Sequence, residues 1–221
     1  MKPLFFFAFI LFIFAPAFGQ LIENPNFGSK THPTISILSI DKLSNSTHVY
    51  FNVVNKSAAE DWLCVDKNTY IITANNKLKL QQTKGIGNCP DNFKFTHQGQ
   101  ELNFTLTFPA FSPETKYIDL VEECSNFCFK FSGLIVNNEI NATLNLAYAQ
   151  FRQNKLTESA QSFETALQQL GNYPYAIFTY NLVEIYSKLK NKEKLAEWKM
   201  KFNNSAFADK KLYQPLIENI Q

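Results

Sequence analysis

Glycine, histidine and net charge are all in short supply in this chain, and each shortage removes a class of function. Only 7 of the 221 residues are glycine, and no set of them has the spacing of a phosphate-cradling loop or a dinucleotide fingerprint. Lys and Arg number 21 against 19 Asp and Glu, a net charge of +2, which lacks the basic excess that phosphate neutralisation draws on. A dedicated nucleic-acid binder is therefore excluded. The three histidines, His32, His48 and His97, stand at no zinc-type spacing from any thiol, and no Cys-x-x-Cys occurs. A Gly-x-Ser-x-Gly nucleophile elbow is also missing. No motif points to a cofactor, a metal or a catalytic constellation. His48 and His97 read as surface residues near strand ends. The paired acids Glu60-Asp61 and Glu122-Glu123 point to opposite faces of a strand, so neither pair converges on a bond by itself.

Phenylalanine is abundant, but unevenly so. Seven of the 22 lie in the first 19 residues, where Lys2 precedes the apolar run Leu4 to Phe14 and small residues stand at Ala17 and Gly19. A charged start, a short apolar core and small residues at the cleavage point are the marks of a secretory signal peptide spanning 1–19, with cleavage expected after Gly19. After its removal no apolar stretch of about 18 residues follows that could serve as a transmembrane segment. The expected location is periplasmic or extracellular.

Export changes how the four cysteines read. Cys64, Cys89, Cys124 and Cys128 are an even set in an oxidising compartment, so disulfides are expected, and with them no nucleophilic thiolate. The favoured pairs are Cys64 with Cys89 and Cys124 with Cys128, with crossed pairing left open. Residues four apart on a straight strand are about 13 Å apart, so Cys124 reaches Cys128 only if Ser125-Asn126 turns the chain.

The remaining chain has two periods. Over 20–136 the pattern alternates with a period of two, through Thr34 to Ile40, Val49 to Val54, Asn68 to Thr73, Lys77 to Gln81, Phe93 to Thr96, Leu102 to Phe108, Tyr117 to Val121 and Phe127 to Phe131. Short strands with turns between them predict an antiparallel β-sandwich. Over 137–221 the period becomes helical, with stripes through Ile140 to Phe151, Leu156 to Leu170, Phe178 to Leu189 and Leu195 to Phe202, and a last helix around Pro215. The fold class expected is α+β in two parts, with the boundary near Asn137.

Within the helical part, Leu146-Ala147, Asn154-Lys155, Ser159, Phe163-Glu164 and Ala166-Leu167 resemble a tetratricopeptide (TPR) repeat, and Asn181-Leu182, Tyr186 and Asn191 resemble a second copy. Leu146 to Leu182 is 36 residues, near the family period of about 34. The second copy departs at Val183, Leu195 and Lys199. The resemblance implies stacked helical hairpins that bind a protein partner, here another envelope or secreted protein, in a groove bounded by Tyr148, Phe151, Tyr180 and Tyr186. In the β part, Thr47 to Phe51, Trp62 ahead of Tyr70-Ile71-Ile72, Asn103 to Pro109, Tyr117 to Glu122 and Phe127 to Gly133 resemble small sandwich modules of exported Bacteroidetes proteins, which implies an accessory domain without assigned chemistry. Lysines from Lys188 to Lys201 are interrupted by Glu193 and Glu197 and read as a solvated helix face. Trp198 shares a stripe with Leu195 and Phe202 and reads as core. Trp62 reads first as a buried anchor beside Cys64, and otherwise as an exposed ring for a glycan or other ligand. The leading expectation is a non-enzymatic interaction or assembly accessory, the alternative a glycan- or ligand-binding sandwich.

Overall fold

The computed structural model describes residues 19–58 and 61–220. The expected signal peptide thus lies outside the described residues except for Gly19. Strands come first: β1 (Gln20–Glu23), β2 (Ser29–Lys30), β3 (Ile35–Lys42), β4 (Ser46–Val54), β5 (Asp61–Leu63), β6 (Thr69–Ile72), β7 (Lys77–Lys79), β8 (Gln82–Lys84), β9 (Phe93–Phe95), β10 (Glu101–Pro109), β11 (Tyr117–Glu122) and β12 (Lys130–Ile135). Helices α1 (Asn138–Arg152), α2 (Leu156–Leu170), α3 (Ile177–Lys188), α4 (Lys192–Asn204) and α5 (Lys210–Glu218) follow. The protein is mixed α+β.

Two antiparallel sheets of five strands each form, in the orders β1-β3-β4-β10-β8 and β2-β12-β11-β6-β7, and β5 pairs with β9 in a separate two-stranded ribbon. Period-two patterning does the sorting. Along β4 and β10 every second residue is buried, and Phe51 opposite Phe104 stacks at 4.7 Å between ring centroids. Both sheets send their buried residues, among them Ile40, Phe51, Leu106, Ile118, Leu120 and Phe131, into one apolar cluster. The sequence pattern missed the short or polar strands β1, β2, β5 and β8, whose few residues carry no alternation. It also set the last strand too early. Phe127 to Cys128 belong to a loop, and β12 runs from Lys130, because a disulfide turns the chain before the strand can start.

Asn137 ends the strand region by capping α1, its side chain accepting from the Ile140 amide at 3.0 Å. The helices pack in sequence, α1 on α2, α2 on α3, α3 on α4 and α5 on α3. Ile140, Leu144, Phe163, Leu167, Phe178, Leu182 and Phe202 fill a second apolar cluster, which Ile135 of β12 joins. The helix pairs repeat a turn. Asn154 (φ 58°) and Lys190 (φ 55°) each follow a helix in the left-handed conformation, offset by 36 residues (190 − 154). The Asn154 and Lys155 amides donate to the Phe151 and Gln150 carbonyls, and the Lys190 and Asn191 amides donate to those of Ser187 and Tyr186. Both sets are Schellman-type terminations, with the two crossed bonds that end a helix on a left-handed residue.

Sheets and helices are joined by specific contacts. Tyr175, just before α3, donates to Asp119 Oδ1 at 2.6 Å, and the same oxygen accepts from the Gly133 amide at 2.8 Å. Tyr117 donates to the Asn172 carbonyl at 2.9 Å, and buried Asn141 of α1 accepts from the Asn26 amide at 2.8 Å.

Candidate functional site

The disulfides build the site. Cys64 follows β5 and is bonded to Cys89, ahead of β9, so the bond closes the base of the β5/β9 ribbon. Backbone bonds reinforce that base: the Val65 amide donates to the Gly87 carbonyl and the Cys89 amide to the Val65 carbonyl. The second bond, Cys124 with Cys128, closes the loop between β11 and β12. Two disulfides suit an oxidising compartment, and no helix among the described residues is long and apolar enough to cross a membrane.

Between the ribbon and this loop lies a cavity of about 790 Å³. Its walls are the β5/β9 ribbon, the start of β3, the end of β4 and the Cys124–Cys128 loop, and both disulfides contribute to its lining. Trp62 and Phe127 line it while remaining 57% and 89% exposed, which places both rings at its opening. Trp62 is therefore no buried anchor. Among the described residues the β5/β9 ribbon is two strands wide, and Trp62 stands on it opposite the exposed Lys94. Trp198, by contrast, is 7% exposed and sits in the helical cluster as expected.

Phe127 is the residue that sequence reasoning missed. The alternating pattern predicts it at the start of a strand, yet it stands at φ 58°, a conformation that costs a β-carbon-bearing residue about 1 kcal/mol or more. Nothing buries the ring to offset that. The loop is held by its neighbours instead: His32 Nε2 donates to the Phe127 carbonyl at 2.9 Å, and Thr31 Oγ1 accepts from the Lys130 amide at 2.8 Å. The available signal was the spacing Cys124-Ser-Asn-Phe-Cys128. A disulfide across four residues forces a tight turn, and a large side chain on such a turn has no interior to enter.

Glu122 fastens the two sides together. Buried in the cavity wall, it accepts from the Asp66 amide through Oε1 at 2.7 Å and from the Phe129 amide through Oε2 at 3.0 Å. Burial pushes its pKa above the ordinary carboxylate value, and the two amides pull it partly back. Its neighbour Glu123 is on the other face, paired with Lys77 at 2.6 Å. Asp61 also lines the cavity, whereas Glu60 lies outside the described residues. Asp61, Asp66 and Glu122 thus line the cavity together with one lysine, Lys56, and with His32, and no ion pair among the described residues engages the three acids.

The four helical aromatics lie elsewhere and have partners inside the chain. Tyr148 packs edge-on against Phe163 at 5.0 Å and its hydroxyl accepts from Asn181 at 3.0 Å. Phe151 is half-buried beneath Lys188, and Tyr180 packs on Tyr213 of α5 at 5.4 Å. Tyr186 is buried and donates to Glu164 Oε1 at 2.9 Å, an oxygen that also accepts from Trp198 Nε1 at 3.1 Å. All four belong to or pack against the helical cluster. His97 is exposed at a turn, away from the cavity lining, and His48 is half-buried on β4.

Comparison with known protein families, with curated proteins and with solved structures found no match in any of the three.

Proposed function

We propose that this is an exported, non-enzymatic binding protein: a β-sandwich that holds a small ligand in the cavity between the two disulfides, followed by TPR-like helical hairpins. The observation that carries the reading is the pair of exposed rings, Trp62 and Phe127, at the opening of a cavity whose walls are covalently fixed. Binding sites are mostly pre-formed, apolar and furnished with a few polar groups, and rigid walls lower the entropy lost on binding. The strained backbone at Phe127 supports the same reading, since unfavourable conformations persist where they serve a site. The repeated 36-residue turn supports the TPR-like description of the helices.

The test uses the two indoles. Trp62 is exposed and Trp198 buried, so each gives its own indole N–H resonance in a ¹⁵N-labelled sample. Titration with Nile red, a neutral apolar dye, should move the Trp62 signal and leave the Trp198 signal in place. A Trp62 signal left unmoved by saturating dye and by neutral oligosaccharides alike would defeat the cavity reading.

A second reading assigns the helical part to docking of another envelope or secreted protein, and it is favoured by the exposed apolar side chains Leu146, Met200, Leu212 and Leu216. Recovery of one partner from envelope extract by the full chain, lost in a Leu212→Asp, Leu216→Asp double variant, would support it. Equal recovery by both chains would count against it.

A further inference from the structure

Two exposed rings and an excess of acid at one opening narrow the class of ligand. We infer that the cavity takes a neutral saccharide, with Trp62 and Phe127 as stacking faces and Asp66, Asn92 and Asn126 as partners for its hydroxyl groups. This rests on the cavity being a ligand site.

A pyranose has a face of C–H bonds and a rim of hydroxyls. An aromatic ring meets the first, covering apolar surface that water otherwise wets. Trp62 and Phe127 are among the most exposed large apolar side chains of the protein, and both are held on short segments next to a disulfide, so little freedom is left for binding to remove. Hydroxyl rims need paired acceptors and donors. A carboxylate accepts from two neighbouring hydroxyls, and a side-chain amide accepts from one while donating to the next. Asn92 and Asn126 are exposed and Asp66 is half-buried, all in the cavity lining. Asp66 uses one carboxylate oxygen locally, Oδ1 accepting from the Asn68 amide.

Charge selects against the obvious rivals. With Asp61, Asp66 and Glu122 lining it beside Lys56 and His32, the site repels uronates, sulfated sugars and phosphates. A lipid tail would strip water from the same carboxylates and amides without offering them hydrogen bonds.

The experiment is calorimetric titration of the full mature chain with neutral gluco-, manno-, galacto- and xylo-oligosaccharides and with oligogalacturonates. At least one neutral series should bind, and the acidic series should bind at least about tenfold more weakly. Trp62→Ala and Phe127→Ala should each weaken the neutral ligand by about three- to tenfold. Both side chains are exposed, so the variants should fold, which circular dichroism checks. Phe127→Gly is the second control: it relieves the left-handed strain and should lose affinity while keeping or gaining thermal stability. Neutral sugar binding that both alanine variants leave unchanged would overturn the assignment, as would preference for the acidic series. If no sugar binds but Nile red still moves the Trp62 resonance, the saccharide assignment falls and the cavity reading stands. If neither binds, both fall.

Discussion

At position 133 a hydrogen stands where almost any other residue has a carbon, and the junction of the two halves depends on it. A Cβ there would come within 2.3 Å of Tyr175 Cδ2, and the backbone is left-handed at φ 64°. Gly133→Ala should therefore combine overpacking with backbone strain and cost about 2–4 kcal/mol, read as a fall in the denaturant midpoint at unchanged slope. Asp209 illustrates charge at the same scale. Its Oδ1 accepts from the Ala176 amide at 2.7 Å at the start of α3, while Oδ2 is buried without a hydrogen-bond partner. Burial raises its pKa above 3.8, so between the unfolded and folded values the folded state holds more protons. Its contribution to stability is then complete below the unfolded pKa and is lost as pH rises through the folded one. Asp209→Asn keeps the Ala176 bond and removes the titration. Melting temperatures from pH 7 down to about pH 4 should shift in favour of the wild type relative to this variant as pH falls, and the opposite trend would show that the buried charge stabilises the fold.

Elements in this protein end where local chemistry tells them to. Asn137 and Asn191 cap α1 and α4 with their side chains, and Asn154 ends the first helix of its pair in a conformation that asparagine tolerates. The equivalent position in the second pair carries Lys190, whose β-carbon gains nothing from the same geometry. Lys190→Gly should stabilise by roughly 0.5–1 kcal/mol, measured by thermal or urea unfolding, and no gain would mean that the lysine side chain repays its strain elsewhere. Period also decided what could be seen in advance. Long alternating strands such as β4 and β10 and the four helical stripes were legible because burial on one face imposes a period over many residues. β1, β2, β5 and β8 combine two to four residues with no alternation of apolar and polar side chains, whereas the equally short β6, β7 and β9 carry aromatic, β-branched or alternating residues that mark them.

Across the whole molecule, Tyr175, Tyr117 and Asn141 tie the helices to the sheets through Asp119, Asn172 and Asn26. Ile135 of the last strand belongs to the helical cluster, so the two cores meet without a solvated linker. Calorimetry should show one cooperative transition with calorimetric and van't Hoff enthalpies equal, and Tyr175→Ala should lower its midpoint by the loss of a ring packed on Gly28 and Gly133. Two resolved transitions in the wild type would refute that coupling. The amino-acid sequence alone determined the order of strands then helices and the 36-residue helical spacing, because hydrophobic period acts over neighbouring residues, whereas it only favoured Cys124 with Cys128 over crossed pairing and the fold decided the pair. Whether Trp62 faced core or solvent, where Phe127 pointed, and that Glu122 would join Asp66 to Phe129 across 56 and 7 residues of separation were decided by tertiary structure. Exposure is a property of what lies opposite a residue, and nothing in the local chain around Trp62 says how the ribbon that carries it is covered.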